Sequence, residues 1–97
     1  MNHSIELVPS ESEVDRQKLL AELHAEQEAD WENEYAPGSF GCHELLDRTS
    51  LILQTLDSQI LNHPACVLNP TWFDLAEEAS AALAKMYQLI GEEHLSK

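Results

Sequence analysis

His43-Glu44-Leu45-Leu46-Asp47 follows the zinc-protease spacing His-Glu-x-x-His, with aspartate in the second ligand position. On a helix, His43 and Asp47 share a face at i, i+4 and can share a metal ion. His24 and Glu28 make the same pair nearer the N-terminus. Side-by-side packing of the two helices would gather His24, Glu28, His43 and Asp47 into one His/carboxylate site. No further glutamate or histidine follows at a recognisable ligand spacing, and such pairs arise readily among five histidines and eighteen acids. A metal is therefore the alternative expectation, and no resident cofactor is the principal one.

Cys42-His43 and His63-x-x-Cys66 hold the residue types of a Cys2His2 zinc site. They bracket a predicted helix of about 20 residues, ~30 Å long, so one chain cannot bring them together. An antiparallel homodimer would. Cys42 and His43 are also no catalytic dyad, because sequence neighbours on a helix project ~100° apart. The chain has neither a Gly-rich phosphate loop nor a nucleophile elbow, and it reads as a non-enzyme.

The formal charge of −13, from eighteen acids against five bases, bounds the partners. Its field repels nucleic acid and anionic membranes, so direct nucleic-acid or membrane binding is not expected. Ten acids fall within residues 1–36 against Arg16 and Lys18 alone, which makes this part −8. Two cysteines make no disulfide framework, and no run reaches the ~20 apolar residues of a membrane span. Residues 1–17 have neither the apolar core nor the basic start of a signal peptide. A reduced, cytoplasmic chain is the expectation.

The elements that must position these groups read as helices. Residues 1–9 form a lead, with Ile5, Leu7 and Val8 available to dock it. Ser10 and Glu13 have capping-box spacing, and the run to Tyr35 lacks a breaker, so the first helix is predicted over 11–35. Leu19, Leu20, Leu23, Trp31 and Tyr35 fall on one broad face of it. Pro37-Gly38 and Gly41 mark the clearest break. A second helix over 43–62 follows, with Leu45, Leu46, Thr49, Ile52, Leu53, Leu56 and Ile60 in one stripe. Leu51 and Leu61 lie outside that stripe.

His63-Pro64 ends the second helix. Asn69-Pro70 starts a third over 70–90, with Gly91 as its stop and the tail beyond fraying. Its inner face is predicted as Trp72, Leu75, Ala76, Ala79, Leu83, Met86, Tyr87 and Ile90, leaving Phe73 as a surface anchor. The fold class is all-α: a three-helix up-down bundle built on a helical hairpin, with completion by dimerisation as the alternative.

From Gly38 to Leu95 the chain resembles small uncharacterised helical proteins of bacteria. They share a Gly-Cys-His-Glu start (Gly41 to Glu44), a His-Pro turn (His63-Pro64) and an Asn-Pro-x-Trp helix start (Asn69 to Trp72). Their Leu-Tyr-Gln-x-Ile-Gly end corresponds here to Met86 through Gly91. Phe73 takes a place usually given to a charged residue. The resemblance implies that the hairpin is the shared module and the acidic arm this protein's addition; it implies no activity.

The expected function is non-catalytic: an acidic helical interaction protein that binds a basic surface of a protein partner. In its sharper form it is a decoy of nucleic acid. Glu22, Glu26, Asp30, Trp31, Glu34, Tyr35 and Phe73 are the candidate contacts, since aromatics within an acidic surround suit a basic, grooved partner.

Overall fold

The computed structural model describes residues 10–96, so the predicted lead over 1–9 lies outside the described residues. Every regular element among them is helical, as the apolar periodicity required. They are α1 (Glu11–Glu26), a 3-10 turn (Trp31–Glu34), α2 (Phe40–Leu56) extended by a π turn (Asp57–Leu61), α3 (Pro64–Val67) and α4 (Pro70–Leu95). None is long and apolar enough to cross a membrane. The chain divides into two compact units, one ending at Trp31 and the other beginning at Glu32.

In the first unit Ser10 caps α1, its hydroxyl accepting the Glu13 N–H at 3.1 Å. The predicted reciprocal half of the capping box is not made. The Glu13 carboxylate instead reaches forward to Arg16 Nε and Nη2 at 2.9 and 2.8 Å and to Gln17 Nε2 at 2.8 Å. α1 stops at Glu26, nine residues short of its predicted end. Continuing it would stack Glu28, Asp30, Glu32 and Glu34 at the negative end of the helix dipole, and no residue of α1 is buried to offset that. The broad face joining Leu19 to Tyr35 is therefore cut.

The second unit is an antiparallel hairpin of α2 and α4. Ser39, rather than a residue near Cys42, starts α2, accepting the Cys42 N–H at 3.1 Å. Asn69 caps α4 through the Trp72 N–H at 3.1 Å, with Pro70 in the first turn as predicted. Between them His63 is exposed and sits just past the end of the π turn. Its Nδ1 accepts the Ala65 N–H at 3.1 Å and caps the short α3.

The two long helices meet along a seam that repeats every seven residues. On α2 it runs Cys42, Leu46, Thr49, Leu53, Leu56; on α4 it runs Phe73, Ala76, Ser80, Leu83, Tyr87, Ile90, His94. This is the 3.5-residue period of a coiled-coil seam. Level contacts fix the antiparallel register: Ser80 Oγ donates to Asp57 Oδ1 at 2.8 Å, and the His94 ring lies tilted against the His43 ring. Leu46 is 7% exposed, and the buried Thr49 hydroxyl is satisfied by the Leu45 carbonyl at 2.8 Å.

Three expectations about α4 are corrected. Gly91 does not stop it: the helix runs on to Leu95, and Gly91 lies inside it against Leu46. The tail is pinned, because His94, only 8% exposed, accepts the Gly38 N–H on Nδ1 at 2.8 Å. Trp72 and Phe73 exchange roles, Phe73 entering the seam and Trp72 standing 59% exposed.

Candidate functional site

Glu22 and Glu26 lie on α1 and are exposed, one turn apart. Asp30 is exposed too, but in the turn after the helix, so the acids do not form one helical stripe. Trp31 is half-buried. Its indole Nε1–H donates to His24 Nδ1 at 3.3 Å, and the two rings meet edge to face with centroids 5.4 Å apart. This contact folds the end of the arm back one turn onto α1. It also commits His24, a candidate metal ligand, to an aromatic neighbour. Glu28 lies beyond the helix end, so the predicted His24/Glu28 pair does not share a helix face.

Glu34 and Tyr35 belong to the second unit and lie over the first turn of α2. A Cβ on Gly41 would run into the Glu34 carbonyl oxygen and the Tyr35 ring. Glycine at 41 is thus what lets that turn close. Phe40, unassigned by the sequence reading, stands 82% exposed beside it. Phe73, as a seam residue, is the one candidate contact drawn into the packing of the hairpin.

His43 and Asp47 do meet, Nε2 to Oδ2 at 3.5 Å, on the exposed surface of α2. The His94 ring lies 5.4 Å from the His43 ring, centroid to centroid. His94 comes from the tail that was expected to fray. Its Nδ1 is an acceptor, which puts the proton of the neutral ring on Nε2. Among the described residues no group of three or more His, Cys, Asp or Glu is placed to hold a metal ion. Cys42 is half-buried, Cys66 is buried, and both are free thiols.

The seam leaves the hairpin with two unlike sides, a feature the sequence reading missed. On one side α2 presents His43, Asp47, Ser50, Gln54 and Asp57, and α4 presents Asp74, Glu77 and Gln88. On the other, Leu45 and Ile52 of α2 face the same way as Trp72, Leu75, Ala79, Ala82, Met86 and Leu89 of α4. The assignment follows from position in the seven-residue repeat. In an antiparallel pair the residues just before Leu46 and Leu53 on α2 and just before Phe73, Ser80 and Tyr87 on α4 lie on one common side, with Leu75, Ala82 and Leu89 next outward on α4. All six large residues of that apolar side are exposed. The signal was present in the width of the α4 stripe: Trp72 to Ile90 spans more of the helix circumference than one neighbour can cover.

No protein-family model matches the chain, and neither a curated protein nor a solved structure matches it.

Proposed function

We propose that this is a non-catalytic interaction protein whose acidic arm binds a basic surface of a protein partner. The observation that carries the reading is α1 itself. It is a well-capped helix within a −8 stretch, and it has no buried residue. A helix that buries nothing gains little from its own packing and keeps its surface for contact. Glu22, Glu26 and Asp30 supply the charge, with Trp31 beside them, and Glu34 and Tyr35 continue the acidic and aromatic character into the next turn. In the sharper form the carboxylates occupy a phosphate-binding surface of a nucleic-acid-handling protein, within the cytoplasm. The same reading completes the hairpin to a bundle, either with α1 as a third helix or with a second copy.

The test is capture of the partner from host extract by the tagged chain across a salt series. Capture should fall steeply as salt rises. Replacing Glu22 and Glu26 with Gln and Asp30 with Asn should abolish it. Salt-insensitive capture, or capture that survives the triple replacement, overturns the reading.

A second reading follows from the one candidate pair that meets. His43 and Asp47, at 3.5 Å and beside His94, are the start of a metal site. Elemental analysis of untagged protein decides it, since absence of stoichiometric metal rejects the site.

A further inference from the structure

We infer that the apolar side of the hairpin, built on Leu45, Ile52, Trp72, Leu75, Met86 and Leu89, is the interface with a second copy of this chain. The inference stands apart from the acidic-arm reading and uses none of the arm's residues.

The first ground is the thinness of the seam. Among the described residues Leu46, Cys66, Ala76, Thr49 and His94 are buried, and no large side chain is fully buried. A two-helix unit with so small an interior lies below what a single core ordinarily supports. Meanwhile Trp72 and Leu75 are each 59% exposed and Ile52 54%. The six large side chains together leave on the order of 600 Å² open to water, at the top of what a monomer tolerates in one patch. A standard-size interface takes ~800 Å² per partner, and Ala79 and Ala82 lie within the same patch. The exposed area is thus what one stable dimer contact consumes.

The second ground is chemistry. The patch has no charge at its centre, so its occupant must offer an equally broad apolar face. α1 does not. Leu19, Leu20 and Leu23 cluster on one side of it within little more than one turn, with Val14 on the opposite side. The hairpin's own patch extends over more than four turns of α4 and is self-complementary in size. Two such hairpins stacked face to face close a four-helix bundle.

Charge agrees with this assignment. The chain carries −13, and a copy meeting a copy needs its cations near the contact. Arg48 and Lys85 are the cations of the hairpin among the described residues, and both border this side. Arg48 stands between Leu45 and Ile52 in the helical row, and Lys85 between Ala82 and Leu89. Arg48 is already neutralised by Glu44, Nη2 to Oε2 at 3.2 Å. Of the hairpin's acids, Asp47, Asp57, Asp74 and Glu77 lie on the polar side, Glu44, Glu78 and Glu92 on the outer faces away from the seam, and Glu93 alone in the row of Trp72, Ala79 and Met86, at its far end. That asymmetry orients association to the apolar side.

Sedimentation or light scattering of the full chain over a concentration series gives the test. The expected mass is twice the 10.9 kDa of one chain. Replacing Ile52 and Leu75 together with Glu should weaken association at least ~100-fold, because each carboxylate would have to give up its water on burial in an apolar contact. Both positions are exposed in the single chain, so helical circular dichroism should be unchanged. Leu51→Glu, an exposed leucine turned away from the patch, should leave the mass at that of a dimer. So should the charge-neutralised arm, which separates this proposal from the acidic-arm reading. A monomer at every concentration up to millimolar overturns the inference, whether α1 or a foreign protein then covers the patch. A dimer weakened by Leu51→Glu and not by the paired replacement overturns it as well.

Discussion

α1 and α4 begin in the same way, each with a polar side chain at 3.1 Å from a first-turn N–H. They end very differently. α1 stops after 16 residues and α4 continues for 26, straight through a glycine. A cap satisfies one orphan N–H and is worth about 1 kcal/mol, which starts a helix without sustaining it. What sustains α4 is a seam residue at every turn from Phe73 to His94, all but Tyr87 buried or half-buried. α1 has no such row, and its first run of acids past Glu26 is enough to end it. Length in these helices is set by packing.

If that is so, one and the same substitution should cost very different amounts in the two places. Leu46→Ala empties a buried seam position against Gly91 and should lower unfolding free energy by about 2–3 kcal/mol. Leu19→Ala on α1, where the side chain is 59% exposed, should change it by less than about 0.5 kcal/mol. Urea unfolding of both variants reads the difference. Equal costs would mean that α1 contributes to the core as fully as α2, and the contrast would fall.

The end of α4 sharpens the comparison at smaller scale. His94→Leu keeps a bulky apolar group but removes the acceptor for the Gly38 N–H. The loss should be about 1–2 kcal/mol, with amide exchange rising at Gly38 and in the last turn of α4 before anywhere else. Should those amides exchange unchanged, His94 would not be the pin that carries α4 past Gly91.

Much of this was legible in the sequence, and the failures share a cause. Helix starts at Ser10 and at Asn69-Pro70 are local: a side-chain oxygen and a nearby N–H decide them, so they can be read from a few letters. The all-α class follows from apolar spacing, which is also local. The end of α1, the passage through Gly91 and the exchange of Trp72 with Phe73 depend on what lies opposite. Gly91 is a helix stop only where no neighbour holds the next turn, and Gly38, 56 residues before His94, supplies that hold. The candidate site divides along the same line. His43 and Asp47 were legible because i, i+4 is a property of one helix. The approach of His94 to His43 and the two unlike sides of the hairpin needed the register between helices, which no single stretch encodes.

The smallest expected effect tests the arm from its own chemistry. Two hydrogen bonds from Arg16 and one from Gln17 hold the Glu13 carboxylate ionised, lowering its pKa from 4.5 to about 2, with the Arg16 bonds the larger cause. A carboxyl depressed in the folded helix stabilises it fully above the unfolded value. That contribution fades as pH falls from 4.5 toward 2, when the unfolded chain takes up the proton first. The pair is open to solvent, with the Arg16 and Glu13 side chains 60% and 39% exposed, so the change should be confined to the first turns of α1 and should shrink with added salt. Side-chain carboxyl NMR shifts should put the Glu13 midpoint near 2, and Arg16→Ala should raise it toward 4.5. A midpoint that stays near 2 in the Arg16 variant would show that Gln17 and the positive end of the helix, and not Arg16, keep the Glu13 carboxylate ionised.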